Sequence, residues 1–83
     1  MPRDSTFNLP AWDGQARAVS LVWRLSKRGN YAKCRLWTNP LGAEIRVEAA
    51  GEFVRSEAGR DPLVLVETAM TWKVQFQEKG WRA

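Results

Sequence analysis

Eighty-three residues, of which 45% are hydrophobic and 27% charged, with five tryptophans, make one domain with enough apolar bulk for a core, near the lower size limit for folding without staples. One cysteine and no histidine exclude a disulfide-stapled scaffold, an imidazole base and a Cys/His zinc cluster. The net charge of +4 originates in residues 17–48, which carry +5 (Arg17, Arg24, Lys27, Arg28, Lys33, Arg35 and Arg46 against Glu44 and Glu48); residues 49–83 balance, and residues 1–16, with Arg3 against Asp4 and Asp13, carry −1.

Residues 1–16 hold Pro2, Pro10 and Gly14 without a period and read as an arm whose anchors are Phe7, Leu9 and Trp12. No stretch resembles a signal peptide or is apolar enough to span a bilayer, so a cytoplasmic chain is expected. Val19, Leu21, Trp23 and Leu25 then alternate with smaller or polar residues, the period of a strand with one buried face. Gly29-Asn30 reads as a two-residue hairpin loop, which sets Leu25 opposite Cys34, Trp23 opposite Leu36 and Leu21 opposite Thr38. Asn39-Pro40-Leu41-Gly42 is a four-residue turn with Asn first, Pro second and Gly last; it pairs Leu36 with Ile45, Cys34 with Val47 and Ala32 with Ala49. A last turn at Gly51-Glu52 leads into a strand with Val54, Ser56 and Ala58 on the inner parity, which places Glu48 opposite Arg55 and Arg46 opposite Glu57.

Asp61-Pro62 is a helix start, a capping side chain followed by proline at the first helical position. Leu65, Ala69, Trp72 and Phe76 form one stripe with Val66 beside it, and the helix is expected to run to about residue 79. Gly80 suits a left-handed cap, with Trp81 folding back on Phe76. The expected fold is α+β: an arm (1–16), then a single domain (17–83) in which a four-stranded antiparallel meander is followed by one C-terminal helix packed on one face, ββββα. Its core should unite Trp23, Leu36, Ile45, Val47, Val54, Leu65, Ala69, Trp72 and Phe76.

No glycine-rich phosphate loop or nucleophile elbow occurs, and Cys34 falls on the inner parity of a central strand, as a structural thiol does. The chain therefore reads as a binding module without catalytic residues, cofactor or metal. Two surfaces are candidates. On the outer sheet face the expected registers align Arg24, Arg35 and Arg46 in a row, flanked by Trp37, Tyr31 and Lys33. Like charges facing each other cost stability, and guanidinium groups with aromatic platforms suit single-stranded nucleic acid. Against this, Glu44, Glu48 and Glu57 share the face and can neutralise the row, or the arm can cover it. On the helix, Leu63, Val66, Met70 and Val74 form an additional apolar stripe suited to a protein partner or a homodimer. A protein-interaction or regulatory module of unknown partner is the first expectation, single-stranded nucleic-acid binding the alternative.

The stretch Arg35-Leu36-Trp37-Thr38-Asn39-Pro40-Leu41-Gly42 through Glu44, then Arg55-Ser56-Glu57, Thr68-Ala69, Trp72, Phe76 and Glu78-Lys79-Gly80-Trp81, resembles a group of short uncharacterised bacterial proteins, and this resemblance implies no function. A four-strand meander followed by a helix is also similar, at the level of fold, to the ββββα unit of Pur-alpha repeats and Whirly proteins, which bind single-stranded nucleic acid.

Overall fold

In the computed structural model, which describes residues 9–83, the alternating segments become β1 (Ala18–Lys27), β2 (Asn30–Asn39), β3 (Gly42–Ala49) and β4 (Glu52–Gly59), followed by α1 (Pro62–Glu78). The strands form one antiparallel sheet in the order β1-β2-β3-β4, and α1 packs across its inner face. Phe7 lies outside the described residues. The core consists of Trp23 and Leu25 from β1, alternate residues of β2 and β3 including Leu36, Ile45 and Val47, and Leu65, Ala69 and Trp72 from α1. Phe76 is partly buried against it.

The ends of α1 are fixed as the sequence implies. The Asp61 carboxylate accepts the Leu63 N–H at 2.9 Å, and Pro62 occupies the first position, where no backbone donor is needed. At the other end Gly80 adopts φ +100°, and the Trp81 N–H donates to the Phe76 carbonyl at 3.2 Å. The Trp81 ring returns to the edge of Phe76, with centroids 5.8 Å apart, and Phe76 meets Trp23 at 5.5 Å. The Lys27 ammonium donates to the last helical-turn carbonyl, that of Lys79, at 2.7 Å, where a cation complements the helix dipole. Beyond the cap, Arg82 and Ser26 exchange two backbone hydrogen bonds, so the chain end lies against the outer edge of β1.

The β2–β3 pairing follows the expected register throughout. The other two hairpins differ. The first loop is Arg28-Gly29, both at positive φ (52° and 83°), which moves the pairing by two residues, so that Trp23 faces Cys34 and Leu25 faces Ala32. A two-residue displacement keeps the parity, and Trp23 and Leu25 remain buried. Register shifts then occur at Val22 and Val19. A bulge puts two neighbouring residues opposite one and reverses the alternation beyond it. Val22 therefore packs on the core, while Leu21, expected inside, faces Arg35 and is 52% exposed.

The last hairpin closes through Ala50-Gly51 rather than Gly51-Glu52, and a bulge at Val54 sets Val47 opposite Arg55 and Ile45 opposite Glu57. Glu52 and Phe53 are two residues out of the expected register and keep their faces, whereas from Arg55 onward β4 is one residue out, which moves those side chains to the other face. Val54, expected in the core, is 46% exposed, and Arg55 and Glu57 replace Ser56 and Ala58 on the inner side. The expected pairs of Glu48 with Arg55 and Arg46 with Glu57 do not form.

Ala50 holds φ 53°, a left-handed conformation that costs an ordinary L-residue roughly 1–2 kcal/mol and that asparagine tolerates better. Ala50→Asn, which creates the preferred Asn-Gly loop, should stabilise the domain by about 1 kcal/mol and raise its melting temperature by about 4–8 °C. Thermal unfolding followed by circular dichroism measures the shift.

Candidate functional site

The outer face carries all six residues expected there, in a different grouping. Arg24 lies opposite Lys33, not Arg35; Arg35 lies between Leu21 and Arg46. The three-arginine row is therefore broken at its first member, because the loop, closing one residue earlier than expected, moves Arg24 two residues along β2. Two separate clusters result.

In the first, the Arg46 guanidinium covers the Trp37 ring at 4.3 Å and donates to Glu44 Oε1 at 3.1 Å, which also accepts from Asn39 Nδ2 at 3.2 Å. Partial burial raises the Glu44 carboxyl, but hydrogen bonds from Arg46 and Asn39 and the Arg46 charge outweigh it and hold the pKa below the usual range. Arg35 donates to Glu48 at 3.4 Å. Two of the three arginines thus have carboxylate partners, and Trp37 has a cation on its face rather than open space. Its indole N–H is buried without a partner among the described residues.

The second cluster keeps its charge. The Tyr31 ring is 51% exposed, with the Arg24 guanidinium 5.2 Å from its centroid and the Lys33 ammonium 6.0 Å away. Below it, a shallow depression of about 270 Å³ lies between the two hairpin loops, lined by Asn30, Tyr31, Lys33, Glu48 and Gly51. At the same end of the sheet a second depression, of about 540 Å³, brings together Lys27, Arg28, Lys79 and Arg82 with no carboxylate among its lining residues. This basic end was not foreseen. Its residues come from the first hairpin tip and the segment after the helix, and their meeting depends on α1 ending over β1.

Leu9 packs on the core, and Trp12 is exposed. Residues 15–17 are held by buried Thr38, whose hydroxyl accepts the Arg17 N–H at 2.9 Å and donates to the Gln15 carbonyl at 3.3 Å. Asp13 pairs with Arg17 at 2.8 Å, and hydrogen bonds from Arg17 and the Gln15 backbone hold its carboxyl below the usual range.

On α1, the stripe named from the sequence divides. Leu63, Met70 and Val74 are exposed, and Val66 is half-buried at the margin. Val64 is exposed on a neighbouring side. That neighbouring side meets β4, where the Arg55 guanidinium lies 4.2 Å over the Trp72 ring and donates to Gln75 Oε1 at 3.3 Å.

Cys34 is buried in β2, and desolvation pushes its thiol up to about 12, which disfavours the thiolate. Among the described residues no group of His, Cys, Asp and Glu is placed to hold a metal ion, and no helix is long and apolar enough to cross a membrane. No protein-family model, no curated protein and no solved structure matches the chain, so the surfaces are read from their own geometry.

Proposed function

We propose that the chain is a small, non-enzymatic, cytoplasmic interaction module that docks a protein partner on the outward stripe of α1. The observation that carries this reading is the exposure of Leu63, Met70 and Val74 along one side of a helix whose other side fills the core. With Val66 they occupy positions i, i+3, i+7 and i+11, the spacing by which a helix seats apolar anchors in a groove. Lys73, Gln77 and Glu67 flank them, a polar rim around an apolar centre. Covering the exposed parts of these side chains contributes on the order of 3 kcal/mol, enough to matter in a docked complex and costly to leave in water.

Affinity capture with the wild-type chain and with Met70→Glu as paired baits tests the reading. Met70 is outside the core, so Met70→Glu should change stability by less than about 0.5 kcal/mol, and its melting curve checks this. The expected result is a defined protein retained by the wild type, lost with Met70→Glu, and bound directly when purified. Identical recovery by the two baits would contradict the proposal.

The exposed Tyr31 between Arg24 and Lys33 favours a second reading, single-stranded nucleic acid held at the basic end of the sheet. Titration of a labelled single-stranded oligonucleotide at low salt should then show affinity that falls steeply with ionic strength. Tyr31→Ala should lose about 1–3 kcal/mol through one unstacked base. Absence of binding at low salt would remove this reading and leave the cluster as solvated surface.

A further inference from the structure

Strand β4 lies at the edge of the sheet, paired to β3 on one side only, and every residue from Glu52 to Ala58 is exposed. The other edge is protected: β1 is bulged at Val19 and Val22, and Arg82 occupies the backbone groups of Ser26. Among the described residues nothing lies along β4. An open edge is a template for another strand. Its charges restrict which strand can use it.

We infer that β4 pairs antiparallel with β4 of a second copy of this chain, joining two four-stranded sheets into one. Two antiparallel neighbours in a sheet are related by a two-fold axis perpendicular to the sheet, so the axis passes level with one residue of the strand and opposite side chains share a face. Three placements give a useful overlap. An axis at Arg55 sets Arg55 against itself, and one at Glu57 sets Glu57 against itself. An axis at Ser56 sets Arg55 opposite Glu57 of the second copy, twice by symmetry. Placements nearer either end shorten the pairing or run into the Val54 bulge. Charge therefore selects a single register, since like charges directly opposite destabilise and unlike charges stabilise.

Three details agree with this register. Both charged residues lie on the inner face, as direct cross-strand partners must. Glu57 has no ion-pair partner among the described residues, and Arg55, fixed over Trp72, bonds only Gln75 through one of its five donors. On the outer face, Phe53 is 64% exposed and lies toward the end of the strand where the second copy presents the small residues Ala58 and Gly59. Charges on the inner side of an edge strand discourage pairing with an apolar strand, and they admit one whose charges are opposite. The axis also brings together the side of α1 that faces β4, marked by Gln75 and, at i−4, i−7 and i−11 from it, by Thr71, Thr68 and Val64. This interface is separate from the Met70 stripe and does not rest on the partner proposed for it.

Sedimentation equilibrium over a wide range of protein concentration tests the inference. The wild type should form a dimer, and Glu57→Arg, at an exposed side chain, should weaken association at least about tenfold because the reversal is felt twice about the axis. Arg55→Glu should do the same, and the double exchange Arg55→Glu with Glu57→Arg should restore the dimer. Because Arg55 also packs on Trp72, melting curves accompany each variant, and amide exchange supplies a readout independent of substitution: protection within residues 55–58 of the wild type should rise with protein concentration. A wild-type chain that stays monomeric at millimolar concentration overturns the inference. So does a dimer that survives Glu57→Arg, or one that is lost with Met70→Glu instead.

Discussion

Trp23→Ala should remove a large share of the domain's folding stability. Truncating a buried aromatic of this size costs about 3–5 kcal/mol, and a domain of this length has only about 4–12 kcal/mol in total. Trp23 does more than fill space. Its indole N–H donates to the Ala69 carbonyl at 2.7 Å, and its ring meets Phe76, so one side chain of the first strand holds the middle and the last turn of the helix. Trp23→Phe keeps most of the volume and removes the donor; its cost should be nearer 1–2 kcal/mol. Urea unfolding followed by circular dichroism separates the two, and an alanine variant within 1 kcal/mol of wild type would contradict the packing described.

The second large effect is expected at Trp72, the other fully packed indole. Trp72→Ala should also cost about 3–5 kcal/mol, by a partly different route. Arg55 lies over the outer surface of the Trp72 ring, so the loss includes the attraction between guanidinium and π-face. A double-mutant cycle of Trp72→Leu with Arg55→Ala isolates this contribution, and about 0.5–1 kcal/mol of coupling is expected for a pair at the edge of the sheet. Additive effects would mean that Arg55 gains nothing from the ring.

The different fates of the predicted elements have physical causes. Turn chemistry and alternation agreed at Asn39 to Gly42, and there both loop and register are as read, because the turn, the β2 pattern and the β3 pattern each specify the same pairing. The helix was legible for the same reason: Asp61 and Pro62 mark its start, Gly80 its end, and the Leu65, Ala69, Trp72, Phe76 stripe its buried side. The outer hairpins were not. Arg28 and Ala50 accept positive φ although neither is a residue that favours it, so the true loops lie before the places where glycine and its following residue suggested. Bulges at Val22 and Val54 leave no mark in a sequence where β-branched residues suit either face. The candidate surface inherits these errors: Arg24 joined Tyr31 and Lys33 rather than Arg35, and the basic end around Lys27 and Arg82 depended on where a helix crosses a sheet, which periodicity does not specify.

Site-specific photo-crosslinking in the producing cells tests the central claim, that the outward side of α1 is where a protein partner docks. A photoreactive residue in place of Met70 should yield an adduct of one defined mass, different from that of two chains, and the same group in place of Arg35 on the outer sheet face should not. An adduct from Arg35 and none from Met70, or only an adduct of two chains from Met70, would contradict it.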